Sequence, residues 1–263
     1  MTDARARGHQ QVWRSISGIC PGPRVVLIHG SLDRSAGLLR LARRLDRRYC
    51  VARYDRRGYG RSQRLGGPYD VETHLGDLEG LLDGAPAMLF GHSFGGVLAL
   101  AAAARLGPSV TGVVVYEPPL VWEPWWPRAT GLDQEQPEEV AEAFMRRLIG
   151  DHRWERLGSS TRQARRAEGL ALVAELDSLN SGRPFEPGSL GCPVLVMRGS
   201  EAREHHVRAC DRLVAEIEDS SLVVIEGAGH FGPNTHPDLV AAAVEGFATE
   251  NALGTGGRVT GEG

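Results

Sequence analysis

The chain is 263 residues long, and all 30 of its basic residues are Arg, none Lys, against 33 acidic residues and a formal charge of −3. The absence of lysine excludes a Schiff-base amine, a phosphate-loop lysine and a Ser-Lys catalytic pair. No segment gathers enough positive charge to mark a nucleic-acid surface, so a small-molecule partner is expected.

The length suits one domain, or one domain carrying a sizeable insertion. No apolar run reaches the ~18 residues that span a bilayer, and the polar stretch 1–10 has no signal-peptide core. The expectation is a cytoplasmic protein without a membrane partner. Cys20, Cys50, Cys192 and Cys210 are far apart and form no CxxC pair. They read as buried free thiols rather than as a disulfide or metal site, and nothing in the chain calls for a cofactor.

In chain order, short β-branched runs alternate with stretches of helical period. Val25–Ile28, Cys50–Tyr54, Ala87–Phe90, Val113–Tyr116, Val194–Met197 and Leu222–Ile225 each read as a strand buried on both faces. Between them, Leu38, Leu41, Ala42 and Leu45 share one helix face, and Val71, Leu75, Leu78 and Leu82 another. Phe94–Leu106 is apolar nearly all round and stops at Gly107-Pro108, as a buried central helix would. Val207, Cys210, Val214 and Ile217 form a further stripe, and Leu239, Val240, Ala243, Val244 and Phe247 the last. This alternation predicts an α/β fold, a mostly parallel sheet with helices on both faces.

The pattern breaks between Pro118 and Leu190, where helical signals at Glu138–Ile149 and Glu168–Leu179 appear without any strand. The predicted organisation is a core of 1–118 and 191–250, a helical insertion over 119–190, and a flexible tail over 251–263.

The chemistry-bearing residues sit at the ends of the predicted strands. Gly91-His92-Ser93-Phe94-Gly95 is a G-x-S-x-G pattern placed where an apolar strand turns directly into an apolar helix, the context that makes a nucleophile elbow. A serine needs a base. His230, in Gly227-Ala228-Gly229-His230 after the last strand, is the candidate. Two N–H donors are expected for an oxyanion: Phe94, after the nucleophile, and Ser31 in His29-Gly30-Ser31-Leu32, with Leu32 the less favoured alternative. His29 reads as a turn residue.

Together these features resemble the α/β-hydrolase superfamily from about Val25 to Ala248, in its serine-nucleophile branch. The resemblance rests on His29-Gly30, Asp55-Arg56-Arg57-Gly58-Tyr59-Gly60-Arg61-Ser62, the Gly91–Gly96 elbow and Gly229-His230, in this order. It implies a usual sheet of eight strands, reduced here to one weak strand before Val25, and makes the insertion the helical cap over the active site. It also implies that Asp55–Ser62 is structural.

The triad acid departs from the family pattern, because Gly199-Ser200-Glu201-Ala202 has Ala where Asp is usual. Glu117, held before Pro118-Pro119 at a strand's end, is the favoured replacement, and Glu201 is the alternative. Trp122, Trp125 and Trp126 begin the cap and are expected over the mouth of the site as substrate-binding residues, implying a bulky apolar substrate. His205-His206 lacks a third ligand at suitable spacing and reads as solvated helix surface, not a metal site. The expected function is a serine hydrolase cleaving an ester, lactone or thioester. Acyl transfer, carbon–carbon hydrolysis or lyase chemistry on the same triad, and a non-catalytic ligand-binding protein on this fold, stay open.

Overall fold

The computed structural model describes residues 11–127 and 136–253. A seven-stranded sheet runs in the order β1-β3-β2-β4-β5-β6-β7. Its strands are β1 (Arg14–Gly18), β2 (Arg24–Ile28), β3 (Cys50–Tyr54), β4 (Ala87–His92), β5 (Val110–Tyr116), β6 (Val194–Gly199) and β7 (Ser220–Ile225). All neighbours pair in parallel except β1 with β3. Among the described residues one strand, β1, lies ahead of Val25, and it is antiparallel and closes one edge.

Crossover helices cover both faces, as parallel strands require. Helices α1 (Leu39–Leu45), α2 (Val71–Leu82), α3 (Phe94–Leu106), α8 (Glu204–Glu216), α9 (Gly232–Thr235) and α10 (Pro237–Glu250) belong to this layer. One face buries Leu75, Leu78, Val97, Cys210 and Leu213 against the sheet, and the other buries Leu41, Leu45, Val240 and Val244. Every residue of α3 from Phe94 to Ala103 is buried, so its uniform apolarity reflects a central position. The expectation for the last strand needs correction. β7 is an edge strand with no partner on its outer side among the described residues, and Val224 is 42% exposed.

The segment between β5 and β6 contains α4 (Pro137–Ile149), α5 (Asp151–Glu155), α6 (Ser159–Arg166) and α7 (Gly169–Asn180), and no strand among its described residues. The two helices predicted there are α4 and α7. These inserted helices have a small core of their own, Val140, Ala141, Met145, Trp154, Ala171 and Leu172, which also takes in Leu32 and Tyr59 from the sheet's loops. Residues 128–135, part of the predicted insertion, and 254–263, most of the predicted tail, lie outside the described residues, as does 1–10. The described start of that tail is packed: the Leu253 N–H donates to the Ala248 carbonyl at 2.8 Å, and its side chain joins the core beside α10.

The cysteine expectation is overturned in part, since Cys20 and Cys50 form a disulfide. Strand pairing explains it. Antiparallel β1 and β3 set Gly18 opposite Cys50, which carries Cys20 to a Cα–Cα distance of 4.9 Å across 30 residues of sequence. Cys192 and Cys210 are free. Among the described residues no helix is long and apolar enough to cross a membrane.

Candidate active site

Ser93 occupies the turn between β4 and α3 with φ 53° and ψ −125°, a conformation costing about 1–3 kcal/mol unless its surroundings impose it. They do so here. The Ser93 N–H donates to the Tyr116 carbonyl at 2.9 Å, and its carbonyl accepts from the Gly96 N–H at 2.7 Å. The turn also presses on β2, because a Cβ on Gly95 would lie 2.2 Å from the Ile28 carbonyl oxygen. A Cβ on Gly30 would lie 3.0 Å from Ser93 Cβ, so the loop after β2 passes directly beside the serine.

His230 lies on the loop after β7. The Tyr116 hydroxyl donates to the Gly229 carbonyl at 2.9 Å, and His92 Nε2 donates to the His230 carbonyl at 2.8 Å. Its Nδ1 stands 2.8 Å from Oε2 of Glu117. Glu117 is fully buried at the end of β5 with φ 46°, and its Oε1 accepts from the Gly199 N–H at 3.0 Å. The alternative acid is elsewhere: Glu201 is exposed, and its N–H donates to the Ala228 carbonyl. The structure therefore brings His230 to Glu117 and not to Glu201.

Ser93 and His230 face a cleft of about 160 Å³, room for a group about the size of a benzene ring. Ser31 and Leu32 line it from the sheet side, and Phe144, Met145, Leu148 and Ile149 of α4 form the opposite wall, with Asp33 and Arg165 also reaching it. Trp122, Trp125 and Trp126 are not among the lining residues, contrary to expectation. The proline-bounded turn lays them against the core and α8. Trp122 meets Phe185 edge-on, Arg208 stacks over Trp125, and Trp126 is edge-on to His205 and His206.

His206 requires a second correction. It is buried, not solvated, and stacks on His230 with ring centroids 4.6 Å apart and planes 23° apart. His92 flanks the same ring at 4.9 Å. Burial pushes His92 down to about 3, with His230 adding to the shift, and pushes His206 far below the usual range, so both are neutral. Glu117, His206 and His230 offer ligand atoms within 4.8 Å of one another. Near-parallel stacked imidazoles keep their lone pairs in separate planes, however, and these do not converge on one tetrahedral ion. The arrangement suits packing around His230 better than metal binding. The histidine inside the elbow motif was visible in the sequence, but its contact with the His230 loop was not.

The serine side of the cleft is fixed by charge. Arg56, fully buried, donates to the carbonyls of His29 and Gly30 at 2.9 and 3.0 Å and pairs with Glu175 of α7. Glu175 also accepts from the Ser31 hydroxyl at 2.6 Å and the Tyr59 hydroxyl at 2.8 Å, and lies 3.2 Å from His74. Burial alone would raise this carboxyl, but Arg56 and His74 outweigh it and hold it down to about 2. Glu168 makes a second tie, accepting from Arg34 at 2.6 and 3.0 Å and from the Gly60 N–H at 2.9 Å. As expected, Asp55 and His29 are structural. Asp55 accepts from the Ser35 and Arg61 N–H groups, and His29, kept neutral by burial and by Arg56, accepts from the Arg56 N–H at 2.9 Å. Glu175 was hidden within a helix whose pattern promised only packing.

A strained serine at a strand-to-helix turn, beside a histidine paired with a buried carboxylate, defines a hydrolase-type site on an α/β sheet. Residues 25–243 match the model of the alpha/beta hydrolase family, and the chain belongs to that family. It is similar to the uncharacterized hydrolase YraK of Bacillus subtilis, 34% identical over 140 residues, covering 51% of this chain and 48% of that protein, so the match spans about half of each. Among solved structures, the enol-lactonase from Burkholderia xenovorans LB400 superposes with a TM-score of 0.72 at 23% identity, over 90% of this chain and 96% of that one. The thermophilic esterase from Thermogutta terrifontis gives 0.69 at 24%, over 91% and 93%. At such identities these two show the fold alone.

Proposed function

We propose that this protein is a serine hydrolase cleaving a small ester, lactone or thioester through an acyl-enzyme on Ser93. The observation that carries the reading is the 2.8 Å contact of His230 Nδ1 with the buried Glu117, beside an elbow serine in the same cleft. Glu117 accepts a hydrogen bond from the Nδ1–H and so fixes the tautomer, which leaves Nε2 as the basic nitrogen. Ser93 Oγ attacks the carbonyl carbon as its proton passes to Nε2, and the carbonyl π bond becomes an oxyanion. The N–H groups of Phe94 and Ser31 stabilise that charge. Collapse breaks the bond to the leaving group, which takes the proton from His230. Water, deprotonated by the same nitrogen, then attacks the acyl carbon, and Ser93 departs with its proton restored.

The inserted helices act as a cap, with α4 supplying the apolar wall that receives the acyl group. Labelling of the folded protein with a fluorophosphonate at neutral pH is expected to give one adduct, on Ser93. No adduct would overturn the reading and leave a binding protein on the same fold.

A further inference from the structure

The cleft is not uniformly apolar. Arg165, in the last turn of α6, reaches it as well, and its side chain is only 17% exposed. A guanidinium carries five N–H donors and remains charged, so a half-enclosed one needs acceptors or a counter-charge. Among the described residues, Glu168 is the one carboxylate within ion-pairing distance of Arg165, through a single contact at 3.3 Å. The other oxygen of Glu168 is already taken by two donors of Arg34 and by the Gly60 N–H. Two guanidinium groups thus share one carboxylate, and among the described residues the one facing the cleft has a single hydrogen bond, to Glu168. Asp33, the other charged group of the lining, also feels the charge of Arg165, but burial outweighs that pull and leaves its carboxyl raised.

We propose that Arg165 is the specificity-determining residue of the cleft and that it binds a carboxylate carried by the substrate, so that the substrate class is a small ester, lactone or thioester bearing a free acid group. The inference rests on the serine-hydrolase reading for the word substrate, but not for the binding of the anion. The chemistry fits the site. Planar guanidinium and carboxylate pair through two parallel hydrogen bonds, and the pairing gains strength where water is largely excluded. An acid at one end and an apolar chain along α4 would fix which carbonyl is presented to Ser93, a role that positioning serves in raising rate. A cleft of about 160 Å³ limits the acyl part to a short chain.

The test compares p-nitrophenyl hemiglutarate with the neutral p-nitrophenyl hexanoate in the full-length protein and in Arg165→Gln, Arg165→Lys and Arg165→Glu. The wild type is expected to favour the acidic ester in kcat/KM. The ratio should fall at least tenfold in the Gln variant, chiefly through KM, fall less in the Lys variant, and fall furthest in the Glu variant. In parallel, glutarate binding to Ser93→Ala protein is followed by calorimetry, with Ser93→Ala/Arg165→Gln expected to bind at least tenfold more weakly. An unchanged ester ratio and unchanged glutarate affinity would overturn the proposal. Glutarate binding that depends on Arg165, with neither ester cleaved and no fluorophosphonate adduct, would retain the anion site and sink the hydrolase reading instead.

Discussion

The two sides of the cleft are built from different materials. The serine side, with Ser93 and the Gly30–Ser31 loop, is bolted to the inserted helices by full charges, Arg56 with Glu175 and Arg34 with Glu168. The base side, with His230, touches one carboxylate, Glu117, and is otherwise packed between the neutral rings of His92 and His206. Under the proposed mechanism the difference suits what each side would do. N–H groups that stabilise an oxyanion work best when immobile, and charged ties in a dry environment supply rigidity. A base must gain and lose a proton each cycle, and a second permanent charge beside it would bias that exchange in one direction. Neutral stacked imidazoles hold the ring without doing so.

The largest effect expected on this contrast comes from removing the one charge on the base side. Glu117→Gln keeps the shape but presents an amide to Nδ1, and kcat should fall by roughly 10⁴, the scale seen when a triad acid becomes an amide. Glu201→Gln should leave kcat within about threefold, since Glu201 makes no contact with His230 among those described. Steady-state kinetics on both variants decide it, and comparable losses in the two would break the assignment. Next in size is the serine side. Glu175→Gln leaves Arg56 buried with no anionic partner, which costs about 3–5 kcal/mol by the usual toll of a broken buried pair. Chemical denaturation should show that loss. If the variant is as stable as the parent, the bolts are not what fixes the inserted helices.

The sheet and the candidate triad were legible in the sequence, whereas the contrast between the two sides was not. Strand–helix alternation located β2 to β7, because buried parallel strands are short, continuous and β-branched. The G-x-S-x-G turn at Ser93 and the position of His230 after the last strand mark two candidate site residues from local context, and Glu117 is marked by standing at the end of an apolar strand before two prolines. What stayed hidden depends on contacts between distant segments. Cys20 and Cys50 meet only because β1 pairs antiparallel with β3. Glu175 looked like an ordinary polar residue of an amphipathic helix until α7 was set against Arg56. His206 reads as surface because the pair His205-His206 lacks a third ligand at suitable spacing, yet it lies four residues before Cys210 and shares its buried helix face. The tryptophans misled for the same reason, as proximity to the insertion in sequence does not fix which way a proline-bounded turn lays its rings.

The smallest expected effect isolates the neutral rings. Burial lowers the pKa of His206 and His92 on the base side, and of His29 and His74 on the serine side. An unfolded histidine takes up a proton near pH 6.5, whereas these four take one up only at lower pH when folded, so the unfolded state binds more protons and stability falls as pH drops below 6.5. Glu175 enters later, because its folded value near 2 means that its contribution is lost only below about 4.5. Between pH 7 and 5 the loss therefore belongs to the histidines. His206→Phe keeps a planar ring on His230 and in contact with Trp126, but cannot be protonated in either state. It should remove one proton from the unfolding linkage and lessen the decline between pH 7 and 5 by about 2 kcal/mol. Urea denaturation of the variant and the parent at the two pH values measures this directly. A decline of the same size in both would mean that His206 is charged in the folded protein, and that the base side is held by charge as the serine side is.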